Sequence, residues 1–422
     1  MQIDEDVLRK YAESRGVKVD IDSLKKVANK FLTSILDESI KKVKLSDGEK
    51  TLYKSDFEQI KHSTYPNLKD KESEFYDAVD KIPSFITEEK KYIKWLHLSD
   101  FHIKLYEDYK TSPIFEALKE DIVELMKKHL INSFDFIIVT GDLAFYGKHE
   151  DYKGVKTLLD NIKNYTHTPK KRIFIVPGNH DVDRSIVQNQ KYQLKSEWRS
   201  ETEAENFLKG DKDVLNAFFK KFNGFSEFIR NFFRGKRSFT PDNYFSINIL
   251  KIEGIQVALV GLNSCLKSGE DEEERNLMIT KEQLNRALYE SRKKVDLDGD
   301  FIQIPIKICF FHHPLDCINQ NEIRNYRSRI CKNFDFMLNG HIHDSAYDIL
   351  NINNNYKIIK IVAGSTFIRD PGRGKQCYNI IKIDSKSLEG YGYFRRFEEG
   401  ADYWTIDTSV GRGTGFVEVN LS

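Results

Sequence analysis

Between Tyr92 and Ile383 the chain is punctuated by short apolar runs, and five of them end in a tight cluster of carboxylate, amide or imidazole side chains. The runs cover residues 92–98, 135–140, 172–176, 255–261, 306–311, 334–338, 357–362 and 378–383. Helical patterns lie among them over 113–130, 151–162 and 281–292, the first opened by Pro113, a residue suited to a first turn. Strand and helix in such alternation predict a layered α/β domain. The runs are mostly continuous rather than alternating, the pattern of strands covered on both faces.

The clusters read Ser99-Asp100-Phe101-His102, Gly141-Asp142, Gly178-Asn179-His180-Asp181, His312-His313-Pro314 and Gly340-His341-Ile342-His343. Open α/β sheets place functional loops at such strand ends. Asp100 and His102, two residues apart on an extended chain, point the same way and can reach one cation, and His341 and His343 repeat that spacing. Asp142 follows a run directly, and Gly141 lets the backbone turn closely beneath it. One carboxylate there can bridge two cations with its two oxygens. Asn179 offers a neutral carbonyl oxygen and His312 an imidazole. Oxygen and nitrogen donors without thiolate suit Mn, Fe or Zn better than Ca or a structural cysteine-type zinc site. With one donor shared, two such ions would lie roughly 3.5–4 Å apart, the arrangement for in-line displacement at phosphorus.

Composition narrows the context. In 422 residues, 66 Lys+Arg nearly cancel 65 Asp+Glu, and a net charge of +1 supplies no overall field to gather nucleic acid. The five cysteines are odd in number and include no CxxC pair, which predicts reduced thiols rather than a disulfide framework. The start, Met-Gln-Ile-Asp-Glu-Asp, is acidic where a secretory leader needs positive charge, and no apolar stretch approaches the roughly 20 residues of a membrane helix. The expectation is a soluble cytoplasmic protein with no membrane contact.

Three regions depart from the alternating pattern. Residues 1–90 predict a small helical accessory region, with Asp22 capping a helix that carries Leu24, Val27, Phe31 and Ile35 on one face; the region serves its own domain, an oligomer or a partner. Residues 183–240 interrupt the domain with Leu215, Phe218, Phe222, Phe225, Ile229 and Phe232 at helical spacing among basic residues. They read as an amphipathic helix with its Phe face on the domain, or as a cap whose basic side attracts phosphate. Residues 386–422 read as a C-terminal extension.

In order, the clusters stand as SDFHI, TGDLAFYG, VPGNHDVDR, FFHHPL and NGHIHD. Over residues 92–385 the chain resembles the calcineurin-like metallophosphoesterase superfamily, whose pattern is DxH, GD, GNH, a lone H and GHxH. The resemblance implies a four-layer αββα sandwich of two mixed sheets flanked by helices, within the α/β (α+β) class, and two divalent metal ions at the strand ends. Asp100, His102, Asp142 and His343 would hold one ion; Asp142, Asn179, His312 and His341 would hold the other. His180 would be the non-ligand histidine that serves the leaving group, oriented by Asp181. His312 is chosen over His313 because the family's commoner His-Gly variant keeps the first. The acid frequent after the GD motif is replaced by Ala144-Phe145-Tyr146. Asn263-Ser264, the helix opening Thr280-Lys281-Glu282-Gln283-Leu284 and His-His-Pro look like the cyclic-nucleotide phosphodiesterase branch.

Three functions follow. The first is a phosphodiesterase acting on a nucleotide or cyclic-nucleotide-like ester, with a metal-bridging hydroxide as nucleophile. The second is a nuclease holding DNA or RNA through Lys220, Lys221, Arg230, Arg234, Lys236, Arg237, Arg395 and Arg396. The third is a scaffold or partner-binding module, against which the complete donor set argues.

Overall fold

Each apolar run is a strand whose two faces meet different cores. In β1 (Tyr92–Leu98), Ile93 and Trp95 belong to one buried cluster and Leu96 and Leu98 to another. In β2 (Phe136–Val139), Phe136 and Ile138 divide from Ile137 and Val139 in the same way. This is why these strands read as runs. The computed structural model describes residues 91–104, 112–189, 198, 200–269, 277–291, 304–352, 355–368 and 374–421. The helix expected around Leu24, Val27, Phe31 and Ile35 lies outside them.

The remaining strands are β3 (Ile173–Ile175), β4 (Ser246–Ile252), β5 (Ile255–Gly261), β6 (Ile306–Phe310), β7 (Phe336–Asn339), β8 (Ser345–Ile352), β9 (Tyr356–Ala363), β10 (Cys377–Asp384), β11 (Glu389–Glu398), β12 (Tyr403–Ile406) and β13 (Phe416–Asn420). The first sheet runs β12-β11-β10-β1-β2-β3, with β13 also on β11; the second runs β4-β5-β6-β7-β9-β8. Both are mixed. β1, β2 and β3 are parallel, as are β5, β6, β7 and β9, and antiparallel strands complete each sheet.

The helices are α1 (Pro113–Lys128), α2 (Tyr152–Tyr165), α3 (Arg184–Asn189), α4 (Glu201–Leu208), α5 (Lys212–Phe219), α6 (Asn223–Phe232), α7 (Lys281–Glu290) and α8 (Gln320–Asn333). Side chains of α1, α2 and α6 share a core with the outer face of the first sheet, and those of α7 and α8 with that of the second. A third core lies between the sheets. There Trp95 stacks on Phe136 at 5.4 Å and meets Phe336 of the second sheet edge-on at 5.3 Å. The expected two mixed sheets flanked by helices are present. All five cysteines are free, and no helix of the described residues is long and apolar enough to cross a membrane.

Two regions differ from their sequence reading. Much of 389–420, expected as an extension, is built into the first sheet as β11–β13, because β11 pairs with β10 residue for residue from Cys377↔Arg396 to Ile383↔Gly390. The Phe-rich stretch is two helices, α5 and α6, joined by a 3-10 turn at Lys220–Phe222. Phe218, Phe222, Phe225, Ile229 and Phe232 are buried in the core of the first sheet's outer face.

A buried ion pair ties α1 to the late strands. Asp121 accepts from Tyr378 Oη at 2.5 Å and Arg395 Nε at 2.9 Å, and Arg395 Nη2 bonds both Asp121 Oδ1 and the Trp404 carbonyl. Asp121→Ala strands the guanidinium among aromatic rings and should destabilise the domain by about 3–5 kcal/mol, read as a lower denaturant midpoint at unchanged slope.

Candidate metal centre

The clusters converge because the parallel strands of both sheets end on the same side. Asp100 and His102 follow β1, Asp142 follows β2 and Asn179 follows β3 in the first sheet; His312 follows β6 and His341 and His343 follow β7 in the second. The backbone is bent hard to bring them in. Asp100, His102, Asp142 and His341 adopt left-handed φ values of 54°, 45°, 52° and 69°. Such conformations cost about 1–3 kcal/mol each and collect at functional sites. Gly178 is required by close approach: a Cβ there would lie 2.0 Å from Asp142 Oδ1.

Two groups of donors result. His102 Nε2 lies 3.6 Å from Asp100 Oδ1 and 3.3 Å from His343 Nε2, and His343 Nε2 lies 3.5 Å from Asp100 Oδ1. In the second group, His312 Nε2 lies 3.1 Å from Asn179 Oδ1 and 3.3 Å from Asp142 Oδ2. Asp142 Oδ2 is also 3.9 Å from His102 Nε2, so this one oxygen faces both groups. The other, Oδ1, accepts the His180 backbone N–H at 2.7 Å. The Asp142 carboxylate therefore meets the two groups of donors through Oδ2 and the His180 backbone through Oδ1. His341 adds its imidazole beside His312, with ring centres 5.2 Å apart, and the His341 backbone N–H donates to Asp100 Oδ2 at 3.1 Å.

These spacings fit cations. Donors held 2.0–2.2 Å from one ion stand about 2.8–3.6 Å apart in tetrahedral or octahedral shells. Asp100 Oδ1 is fully buried and accepts no hydrogen bond from the described residues, a costly state for a carboxylate oxygen that a cation relieves. His312 Nδ1 donates to the Thr140 carbonyl at 2.7 Å, which turns Nε2 inward.

The charges are interlocked. Burial works against the Asp142 carboxylate ion, yet the His312 and His180 rings more than offset it and hold the group well below the usual carboxylate range. Burial likewise opposes charge on His312, but the Asp142 and Asp100 carboxylates outweigh it and raise the ring to about 9. Burial and the nearby His312 lower His341 to about 4, leaving a neutral imidazole at pH 7. A cation at His312 must displace a proton. Metal affinity, followed by titration calorimetry at fixed ionic strength, should therefore fall as pH drops below about 9.

His180 stands beside the centre, its ring 4.7 Å from that of His102. The orienting contact is not the expected one. His180 Nδ1 donates to the Phe145 carbonyl at 2.8 Å. Asp181 instead takes the backbone N–H groups of Gly178, Leu143 and Ala144 and the Tyr152 hydroxyl at 2.9–3.2 Å, which locks the Asn179 loop to the Asp142 loop. Burial, then the Asp142 charge, lifts Asp181 to about 6 despite those donors. Between the adjacent histidines, His312 is the one facing Asp142; His313 Nδ1 is held by Ser264 Oγ at 2.8 Å. Phe145, Ser264 and Tyr152 support the site through a carbonyl and two hydroxyls, groups that no sequence motif marks.

The basic residues of 183–240 do not form one free surface. Lys221 is buried and donates to the Leu266 and Ser268 carbonyls, and Arg237 donates to those of Ile173 and Lys171. A cleft of about 580 Å³ between the β3 and β4 edges, lined by Phe174, Arg237, Tyr244 and Arg286, contains none of the candidate ligands. Donor geometry, rather than cavity size, marks the centre.

The family model described as calcineurin-like phosphoesterase matches residues 93–345. The uncharacterized metallophosphoesterase-like protein YydB of Bacillus subtilis (strain 168) is 26% identical over 324 residues, covering 76% of this chain. The match spans 63% of that relative's own length. Among solved structures, vacuolar protein sorting 29 of Cryptosporidium parvum is similar with a TM-score of 0.30 at 10% identity, covering 78% of this chain and 99% of that one. Vps29 of Entamoeba histolytica complexed with zinc gives 0.28 at 11% identity, with coverage of 78% and 99%. With its family model matched over more than half its length, the chain belongs to the calcineurin-like phosphoesterase family.

Proposed function

We propose that the chain is a two-metal phosphodiesterase acting on a nucleotide or cyclic-nucleotide-like ester, with Mn, Fe or Zn as the ions. The observation that carries this reading is Asp142 Oδ2, one carboxylate oxygen facing donors of both groups, with His180 alongside. Two bound ions supply positive charge for the phosphate oxygens and an activated water at neutral pH. The protein's part is to hold the donors on both sheets and to present one proton. With Nδ1 fixed on the Phe145 carbonyl, the His180 ring is left with Nε2 to serve the departing alkoxide.

The nuclease reading is weaker because four of its eight cations are engaged within the fold. Lys221, Arg237 and Arg395 are bound by carbonyls or by Asp121, and Arg396 pairs with Glu398 at 3.0 Å. The scaffold reading has no use for donors turned to common points.

The full chain, loaded with Mn, should hydrolyse bis-p-nitrophenyl phosphate faster than p-nitrophenyl phosphate, act on cyclic nucleotides and stop on chelation. Turnover of labelled DNA with a steep salt dependence would favour the nuclease instead. Metal-replete protein inert towards all of these substrates contradicts the proposal.

A further inference from the structure

His313 stands against the metal centre with one ring nitrogen unused. The residue is 1% exposed, and its Nε2 has no hydrogen-bond partner among the described residues. Burying a ring nitrogen unmatched is unfavourable, and native folds rarely tolerate it without a reason.

The ring is nevertheless held fast. Its Nδ1 lies 2.8 Å from Ser264 Oγ, which also accepts the His313 backbone N–H at 3.2 Å. The Ser264 turn is itself anchored on α7. There Gln283 Oε1 accepts the Asn263 N–H at 2.7 Å, and Gln283 Nε2 donates to the Asn263 carbonyl at 3.0 Å. At the end of β7, Asn339 Nδ2 donates to the carbonyls of Phe311 and His313 at 2.9 Å and 3.4 Å, gripping the chain on both sides of His312.

What lies beside the fixed ring is metal-binding chemistry. Its centre is 4.7 Å from that of His312 and 4.6 Å from that of His341. One ring nitrogen from each of His312, His313 and His341 lies within 4.8 Å of the other two. Donors on opposite sides of an ion at 2.0–2.2 Å stand about 4.0–4.4 Å apart, so the three nitrogens are within side-chain adjustment of one ion.

We infer that His313 Nε2 is a further ligand of the ion assigned to Asp142, Asn179, His312 and His341. This rests on the two-ion reading and deepens it. Nδ1–H then donates to Ser264 Oγ, as His312 Nδ1–H donates to the Thr140 carbonyl, and Nε2 keeps its lone pair for the ion. The two ions are unequal as a result: the one with three imidazoles is the more fully enclosed and the more tightly held.

His313→Asn and His313→Gln separate the two ring nitrogens. The shorter amide can replace Nδ1 at Ser264 but reaches no ion, whereas the longer one carries an oxygen to the Nε2 position. The full chain is stripped with chelator and titrated with Zn in calorimetry, and bound metal is counted by mass spectrometry after gel filtration. Wild type should take up two ions with distinct affinities. In His313→Asn one ion should bind about 100-fold more weakly while the other stays within about two-fold, and His313→Gln and Ser264→Ala should each weaken the same ion by about 10-fold. The denaturant midpoint of the metal-free protein should be unchanged in His313→Asn, because Nε2 makes no contact there to lose. Two ions held at wild-type affinity in His313→Asn overturn the assignment, as does equal weakening of both with a lower metal-free midpoint. Selective loss of one ion in a protein that hydrolyses no ester sinks the hydrolase reading and leaves His313 a ligand.

Discussion

Asp142→Asn should remove phosphodiester hydrolysis by about 10³-fold or more, equivalent to about 4 kcal/mol of barrier, while the protein stays folded. The amide keeps the shape of the carboxylate, and its carbonyl can still accept the His180 N–H that Oδ1 now receives at 2.7 Å. What it loses is the negative charge at Oδ2, a carboxylate oxygen within 3.9 Å of donors in both groups. Asparagine at an exposed carboxylate would matter little. Here the group is 2% exposed and its charge offsets a buried His312. Bound metal measured by mass spectrometry after gel filtration should fall together with turnover. A variant that keeps two ions per chain and full activity would show that Asp142 is not shared.

His180→Ala should separate chemistry from metal binding. Its ring sits against His102 and close to Asp142, yet its Nδ1 is spent on the Phe145 carbonyl and its backbone, not its ring, contacts Asp142. The variant should retain its ions and lose about 10²–10⁴-fold in kcat on esters with alkoxide leaving groups. Esters that release p-nitrophenolate should be affected far less, because that anion departs without a proton. The ratio between the two substrate types is the informative quantity. Loss of one ion, with equal losses on both substrate types, would make His180 a ligand.

Much of the centre was legible because its donors sit in short contiguous motifs. Asp100-x-His102 and His341-x-His343 announce themselves, and the covered strands before them read as runs because Trp95 and Leu96 each meet a core. Edge strands did not read so easily. β4 and β8 are largely half-exposed and mix Asn, Lys and Asp with Ile, so no run marks them. Asp181 looked like the partner of His180 because they are adjacent, but its side chain turns to the other loop, where N–H groups compensate its burial. The true acceptor is a backbone carbonyl, which every residue has and no sequence pattern distinguishes. Lys221 and Arg237 illustrate the converse. A cation in sequence is no evidence of a free charge when carbonyls wait for it in the fold.

The central claim is that two ions bound around Asp142 make this chain a phosphodiesterase. It is tested most directly by adding Mn to the chelated full chain while following bis-p-nitrophenyl phosphate hydrolysis and bound metal together. The account predicts that the rate rises with metal and levels off at two ions per chain, and that Asp142→Asn stays inactive at the same metal concentrations. Saturation at two ions with no hydrolysis of this or any other diester, or full activity with a single ion, would contradict it.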